Sequence, residues 1–183
     1  MAHDGICLKT ERLELRGLRP EDAGPIANQL QNWNVLCMLS SPPHPFRLDH
    51  AKEFISDRLG KCDTPENCVC AISLADQLVG VISIEPNSNN EPTLGYWLGE
   101  AHWGKGMMSE AVATIIGHYF ETSHADALYC AAFLENPASI RVQEKAGFTA
   151  VGRTEIFSRS RNKVMDSIAT KLTRDAFERQ RLQ

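Results

Sequence analysis

Between Gly95 and Ala111 the chain carries residues suited to binding an anion. A strand-like run ends in a loop that contains Gly104 and Gly106, and an amphipathic helix follows at once. Glycine lets the backbone approach a ligand closely, and the first turn of a helix leaves several N–H groups without internal partners. Those groups and the positive end of the helix dipole favour a diphosphate. The alternative is a plain loop in which the glycines only allow the chain to turn.

The helix after this loop is supported by its apolar residues, and the loop is neither of the two best-known phosphate loops. A Walker loop needs Lys followed by Ser or Thr after its last Gly, and a dinucleotide loop needs three spaced glycines. Neither pattern is present. One buried helical face is formed by Ala111, Val112, Ile115, Ile116, Tyr119 and Phe120.

A second segment that could do chemistry is Glu135–Phe148. Asn136, which precedes a proline, predicts a helix N-cap, and Gly147 predicts the end of that helix. Ser139 then lies in the first turn, where its hydroxyl could donate a proton or could be an ordinary helical serine. Tyr96, in the strand before the glycine loop, is a rival proton donor, although a buried Tyr is also a common core or pocket-wall residue.

Composition limits the class of protein. The chain has 183 residues, 43% of them hydrophobic, and a net charge of -4. This predicts one domain and does not favour nucleic acid as a partner. There is no apolar run long enough for a membrane span and no signal peptide, so we expect a cytoplasmic protein without membrane contact. The six cysteines include no CxxC pair, which predicts reduced thiols and no metal site.

The elements that must position these residues can be read from periodicity and turn residues. Strand and helix patterns alternate, which predicts a mixed α+β fold. Helices are predicted over Arg19–Asn32, over Arg47–Gly60, after the glycine loop and after Asn136. Strands are predicted over Glu11–Leu18, Cys68–Leu74, Leu78–Glu85, Thr93–Gly99, Ala127–Glu135, Thr149–Phe157 and Val164–Leu172.

The segment Asn32–Phe46 is predicted to be a loop over the substrate side, because its proline cluster cannot continue a helix. Trp33, His44 and Phe46 could line a pocket for the acceptor. They could equally anchor the loop on the core.

Three stretches resemble the GCN5-related N-acetyltransferases (GNAT). WGKGMM, Trp103–Met108, is similar to the coenzyme A pyrophosphate loop of that family, although Met108 stands where the family has a small residue. ENPASIRVQEKAGF, Glu135–Phe148, is similar to the family segment NxxSxxxxxKxGF, and TERLELRGLRPEDA resembles the family's start. The chain most resembles the branch that includes the ribosomal-protein acetyltransferases, where Trp often begins the loop.

This resemblance implies a single domain over residues 1–183, with a mostly antiparallel central sheet and about four helices. It also implies that acetyl-CoA is the cosubstrate and that transfer to an amine is direct. Backbone donors around Tyr96, Trp97 and Leu98 would then meet the thioester oxygen. Asn136 would bind the pantetheine arm, and Ser139 would protonate the departing thiolate. The diphosphate would bind Trp103, Gly104, Lys105, Gly106, Met107, Met108 and Ser109.

The resemblance leaves the base and the acceptor open. Thr93 replaces an acid that is common in the family, and Glu91 and Glu100 are weak candidates whose alternative is solvated surface. The acceptor is expected to be a small-molecule amine or a protein N-terminal amine, and a homodimer is compatible with the family. Because of Thr93, a catalytically silent module that only binds acyl-CoA is the alternative function.

Overall fold

The computed structural model describes residues 6–59 and 64–182, and in them one eight-stranded sheet. Its strand order is β1-β2-β3-β4-β5-β6-β8-β7, and all neighbours are antiparallel except β5 and β6. The strands are β1 (Cys7–Lys9), β2 (Glu14–Gly17), β3 (Cys68–Leu74), β4 (Gln77–Pro86), β5 (Pro92–Leu98), β6 (Ala127–Phe133), β7 (Thr149–Ser158) and β8 (Lys163–Thr173). The predicted mixed, mostly antiparallel sheet is confirmed.

Six α-helices accompany the sheet in the described residues, two more than the sequence predicted. They are α1 (Ala23–Leu30), α2 (Trp33–Leu36), α3 (Leu48–Ser56), α4 (Met107–Thr122), α5 (Pro137–Lys145) and α6 (Arg174–Arg181). Short 3-10 turns precede α1, at Pro20–Asp22, and follow β5, at Glu100–His102. The unpredicted helices are the short α2 and the C-terminal α6. None of the described helices is long and apolar enough to cross a membrane.

The prediction of a loop over Asn32–Phe46 was wrong at its start. The Asn32 side chain accepts a hydrogen bond from the Asn34 N–H at 2.9 Å and caps the one-turn helix α2. Phe46 is an anchor on the core, with 6% exposure, whereas Trp33 is 46% exposed. Gly60, the last residue of the second predicted helix, and Cys62, one of the six cysteines, lie outside the described residues.

Two apolar cores lie on opposite faces of the sheet. One contains α4 together with Cys68, Cys70 and Ile72 of β3, and the other contains α1, α2 and α3 together with Val69 and Ala71. This alternation follows from the two-residue period of a strand. Cys68 and Cys70 therefore share a face. The five described cysteines are free thiols, as predicted.

β5 and β6 separate after a single point of contact. Thr93 is opposite Tyr129, and the Leu94 carbonyl accepts a hydrogen bond from the Cys130 thiol at 3.2 Å. No later residue of these two described strands forms a ladder pair. The sheet therefore contains a gap between the C-terminal halves of its two parallel strands.

The edge of β5 that faces this gap carries free backbone groups. The Gly99 N–H donates to the Val79 carbonyl on the β4 side at 2.8 Å. Because N–H groups alternate between the two edges of a strand, those of Tyr96 and Leu98 face the gap.

Helix α4 is fixed at its end by Arg174, the first residue of α6. The guanidinium donates to the carbonyls of Phe120, Ser123 and Ala125 at 2.7, 2.9 and 2.9 Å. These carbonyls belong to the last turn of α4 and the residues after it, where no further helical N–H can reach them. Arg174 therefore closes the C-terminal end of α4.

Candidate active site

The loop between β5 and α4 has the backbone geometry that its glycines predicted. Gly104 and Gly106 have φ of +72° and +76°, in the left-handed region that side chains other than glycine rarely adopt. Gly106 is the N-cap of α4, and its carbonyl accepts the first helical bond, from the Glu110 N–H at 3.1 Å. The N–H groups of Met107, Met108 and Ser109 therefore have no partner within the helix and are directed out of its start.

Thr10 and Arg12, which precede β2, contact this loop and the first turn of α4. The sequence did not predict these contacts. The Arg12 guanidinium donates to Glu110 in the first turn of α4 and to the Lys105 carbonyl at 2.9 Å. The Glu110 carboxylate is 2.6 Å from Arg12 Nη2 and also accepts from the Arg12 backbone N–H and the Thr10 hydroxyl. Burial raises the pKa of Glu110, but these hydrogen bonds outweigh burial and lower it below its ordinary value.

The Arg12 contact also orients one amide of the loop. The carbonyl of Lys105 and the N–H of Gly106 belong to one planar trans peptide and point in opposite directions. Since Arg12 holds the carbonyl, the Gly106 N–H is directed away from Arg12. The Lys105 ammonium donates to the Ala101 carbonyl at 2.8 Å, which closes the loop from within.

The two tryptophans near the loop play different parts. Trp103 is 43% exposed, and its indole N–H donates to the Leu98 carbonyl at 2.7 Å. This bond joins the loop to the end of β5 at the gap. The Trp97 side chain packs against the core around α1 and α3, on the other face of the sheet from α4. Trp97 was predicted to bind the cofactor, but its side chain is directed away from the loop.

The predicted methionines contribute backbone rather than side chains to the loop. Met107 is 8% exposed and belongs to the core around α4, and Met108 is partly buried against the same core. A large side chain at position 108 is accommodated because it turns inward. This leaves the amides at the helix start uncovered.

Ser139 and Tyr96, predicted separately as proton donors, are in direct contact. Their hydroxyl oxygens are 2.9 Å apart, and the Tyr96 hydroxyl is 3.2 Å from the Ser139 carbonyl, to which it donates. Burial, followed by the nearby Cys130, raises the pKa of Tyr96 well above its ordinary value, while its hydrogen bonds to Ser139 and Gln143 oppose this rise. The phenol therefore stays protonated at neutral pH.

A buried polar chain continues from Ser139 into the core. The Gln143 amide, one turn later on α5 and 0% exposed, lies 3.3 Å from the Ser139 hydroxyl. Its oxygen accepts from the Thr170 hydroxyl of β8 at 2.7 Å. Sequence reasoning missed Gln143 and Thr170, because a single polar residue in a helix or strand pattern usually faces solvent.

Asn136 is the N-cap of α5, as predicted. Its side-chain oxygen accepts from the Ser139 N–H at 3.1 Å, so its amide NH₂ remains able to donate to a ligand. Gly147 ends the helix with a φ of +90°, which was also expected.

The two weak candidates for the base lie in different places. Glu91 precedes β5 and accepts from the Asn87 side chain at 3.0 Å, so the strand does not extend to it. Glu100 follows β5 and accepts from Asn32 and Asn34 at 2.5 and 2.8 Å. Hydrogen bonds from Asn32 and then Asn34 lower the pKa of Glu100, which therefore stays ionised rather than taking up a proton.

The segment after α2 is held by the turn between β7 and β8. Arg159 N–H and Arg161 Nε donate to the carbonyls of Ser40 and Cys37 at 2.9 and 2.8 Å. Arg161 also pairs with Glu135, directly after β6, at 2.6 Å. The charged turn between the last two strands therefore links this segment to the start of α5.

Comparisons with known proteins identify the family. A family model described as an acetyltransferase (GNAT) domain matches residues 12–149, so the chain belongs to the GNAT acetyltransferase family. The ribosomal-protein-serine acetyltransferase of Escherichia coli (strain K12) is 38% identical over 80 residues, which are 42% of this chain and 44% of that protein. The chain thus matches less than half the length of this relative.

Two further proteins are similar over almost the whole chain. An uncharacterized N-acetyltransferase, YokL of the SPbeta prophage in Bacillus subtilis (strain 168), is 26% identical over 92% of this chain and 93% of its own length. The structure of RimL, a ribosomal alpha-N-protein acetyltransferase in complex with coenzyme A, has a TM-score of 0.80 at 19% identity, covering 93% of this chain and 99% of that one. The protein is an acetyltransferase with the GNAT fold.

The contribution of the Arg12–Glu110 contact to the free energy of unfolding should depend on pH. The folded pKa of this carboxyl is lower than its unfolded pKa of about 4.3, so the carboxylate stabilises the fold at neutral pH. This stabilisation is lost as the pH falls through the folded pKa. Glu110→Gln should therefore lower the free energy of unfolding by roughly 1–2 kcal/mol at pH 7, measured by urea denaturation. The difference from wild type should shrink below about pH 4; an equal difference at pH 7 and pH 3 would contradict it.

Gly106→Val should weaken acetyl-CoA binding, measured by calorimetry, by about tenfold or more, because a β-branched residue strains a φ of +76°. A Cβ at this position would point to Arg12 Nη2, 3.6 Å away, so conformational strain is the cause rather than filled space. Gly106→Asn should be milder, since Asn tolerates this conformation better. Gly117→Val, within α4 and with open space at its Cβ, is the matched control. If Val and Asn at position 106 lower the affinity for acetyl-CoA equally, the cause is obstruction of the ligand by the side chain and not strain in the backbone.

Proposed function

We propose that this acetyltransferase acts on the N-terminal amine of a protein and transfers the acetyl group directly within a ternary complex. The observation that carries the proposal is the gap between β5 and β6, with the glycine loop at one side and the Ser139–Tyr96 pair on its wall. The named relatives that act on ribosomal proteins support a protein acceptor. A small-molecule amine is the other candidate.

In this arrangement the loop holds the diphosphate of acetyl-CoA. The amides of Gly106 to Ser109, with the positive end of α4, provide donors for the phosphate oxygens. Trp103, Gly104 and Lys105 shape the loop around them. The Asn136 NH₂ group, left free by the capping bond of its oxygen, donates to the pantetheine arm.

The reacting thioester lies along the free edge of β5. The backbone N–H groups that face the gap, those of Tyr96 and Leu98, would stabilise the negative oxygen of the tetrahedral intermediate. Trp97 contributes only its backbone, as part of this strand. The neutral amine attacks the carbonyl carbon, the C–N bond forms, and the C–S bond then breaks.

Ser139 delivers the proton that the departing sulfur needs. Its oxygen is within hydrogen-bond distance of both the Gln143 amide and the Tyr96 hydroxyl, so its orientation is fixed from two sides. In the overall reaction the amine nitrogen loses one proton to water, and the sulfur gains one from Ser139. Water returns a proton to the Ser139–Tyr96 pair after each turnover.

The acceptor enters at the C-terminal ends of β5 and β6. The Glu100 carboxylate stands just beyond the end of β5 and, bonded only to the neutral amides of Asn32 and Asn34, would attract a cationic amine, whereas Glu135, beyond β6, is already paired with Arg161. The exposed indoles of Trp33 and Trp103 offer apolar surface of the kind that is enriched in protein interfaces. These features suit an extended peptide N-terminus. We also propose that the protein acts as a homodimer.

Ser139→Ala should lower kcat by about 100-fold, because it removes the proton donor, and should leave the acetyl-CoA dissociation constant nearly unchanged. Tyr96→Phe keeps the ring and should cause a smaller loss through disorientation of Ser139. Thiol release at saturating amine and calorimetry with acetyl-CoA measure the two quantities. If Tyr96→Phe lowers kcat more than Ser139→Ala does, the proton donor is Tyr96 rather than Ser139.

The acceptor class is tested with peptides and small amines of equal concentration in the same thiol-release assay. A peptide with a free N-terminus should be acetylated, and the same peptide with a blocked N-terminus but a free lysine should not. Faster transfer to a small diamine than to all peptides would favour the small-molecule acceptor. Tight acetyl-CoA binding with no turnover on any amine would indicate a silent module.

A further inference from the structure

Glu100, which follows the end of β5, carries a negative charge that no cation of the described chain neutralises. Its carboxylate oxygens accept from the side-chain amides of Asn32 and Asn34, which are both neutral, at 2.5 and 2.8 Å. Within residues 6–59 and 64–182 Glu100 takes part in no salt bridge. The nearest lysine or arginine in the sequence, Lys105, donates to the Ala101 carbonyl instead, at 2.8 Å. The charge is therefore available to a group from outside the chain.

The two asparagines hold this carboxylate in one orientation. Asn32 Nδ2 donates to Oε2 of Glu100, and Asn34 Nδ2 donates to Oε1. The Asn32 side-chain oxygen also accepts from the Asn34 N–H at 2.9 Å, which fixes Asn32 relative to α2. Each carboxylate oxygen can accept a second hydrogen bond, and an ammonium or a guanidinium supplies suitable donors. A carboxylate that is already oriented binds a cation with less loss of conformational freedom.

Glu100 lies where the β5–β6 gap opens, on the side of the sheet away from the cofactor helix. Helix α2 belongs to the core that contains α1 and α3, whereas α4 belongs to the core on the other face. The segment that carries α2 is also tied to the far side of the gap, because Arg161 bonds both the Cys37 carbonyl and Glu135. This segment therefore extends from the end of β5 to the end of β6. An acceptor that enters opposite the cofactor passes Glu100.

The cation that fits Glu100 is not the reacting amine. The nitrogen that attacks a thioester must be neutral, because its lone pair forms the new bond. A neighbouring carboxylate raises the pKa of a bound amine and keeps that amine protonated. Hydrogen bonds from Asn32 and then Asn34 lower the pKa of Glu100, so its carboxylate does not take the proton away. A second positive group of the acceptor stays charged throughout the reaction and suits this position.

We infer that Glu100 selects acceptors with a second positive charge, the side chain of a Lys or Arg close to the reacting N-terminus. Asn32 and Asn34 are positioning residues for this carboxylate. The inference rests on the proposed function and names its substrate class, a peptide whose N-terminal residue is followed by basic residues. Glu135, across the gap, does not compete for the cation, because Arg161 already neutralises it.

Three peptides that differ only at their second and third residues, both Arg, both Gln or both Glu, test this selection by thiol release. Arg is used because its guanidinium does not accept an acetyl group. Wild type should have a kcat/KM about fivefold higher for the Arg peptide than for the Gln peptide, mostly through KM, which is the upper range for an exposed ion pair. Glu100→Gln should bring this ratio close to one, and Glu100→Lys should favour the Glu peptide. Asn34→Ala should reduce the ratio without abolishing it.

Glu91→Gln is the matched control, because Glu91 precedes the other end of β5 and also accepts from an asparagine, Asn87, at 3.0 Å. It should keep the preference for the Arg peptide, and thermal unfolding should show that all variants are folded. Equal kcat/KM for the three peptides in wild type, or an equal loss for the Arg and Gln peptides in Glu100→Gln, would overturn the inference.

Calorimetry of the same peptides with the protein saturated with coenzyme A measures their affinity without acetyl transfer. The Arg peptide should bind more tightly than the Gln peptide, and equal dissociation constants would overturn the inference even if no peptide is acetylated. Absence of transfer to every peptide, with the difference in affinity intact, would contradict the proposed function alone.

Discussion

The site depends on the separation of two parallel strands. β5 and β6 are joined where Thr93 lies opposite Tyr129, and they then part, which frees one edge of β5 inside the sheet. The residues that we propose for catalysis are arranged on the borders of that opening. The glycine loop continues from the end of β5, and α5, with Ser139 in its first turn, continues from the end of β6. A sheet paired along its full length would have hidden the same amides in ladder bonds.

Local patterns were enough to predict most of the fold. The strands from β3 onward have strong alternation or apolar runs, and the Asn–Pro and Gly signals of α5 are set by neighbouring residues. β1, α2 and α6 were missed because they are short or, like α6, mostly charged, with Phe177 as the main apolar anchor. Pattern reasoning works where burial is periodic and fails where an element is too short to show a period.

The sequence predicted which residues belong to the site better than it predicted the contacts between them. The sequence named Ser139 and Tyr96 as rivals, whereas the fold makes them hydrogen-bonded neighbours. Arg12 and Glu110 are 98 positions apart, and no spacing in the sequence announces a contact over such a distance. Gln143 shows the same limit, because its burial is created by β8 and is invisible in the pattern of α5. An amide buried there costs free energy unless both its ends are bonded, and both are.

Helix α4 is held at its start by Arg12 and at its end by Arg174, residues from opposite ends of the chain. During synthesis the first contact becomes available as soon as α4 has been made, but the second must wait until β6, β7 and β8 have followed. The helix is therefore fixed at both of its ends only after the strands that complete the sheet exist. A chain cut before α6 would leave the carbonyls at the end of α4 without the Arg174 guanidinium.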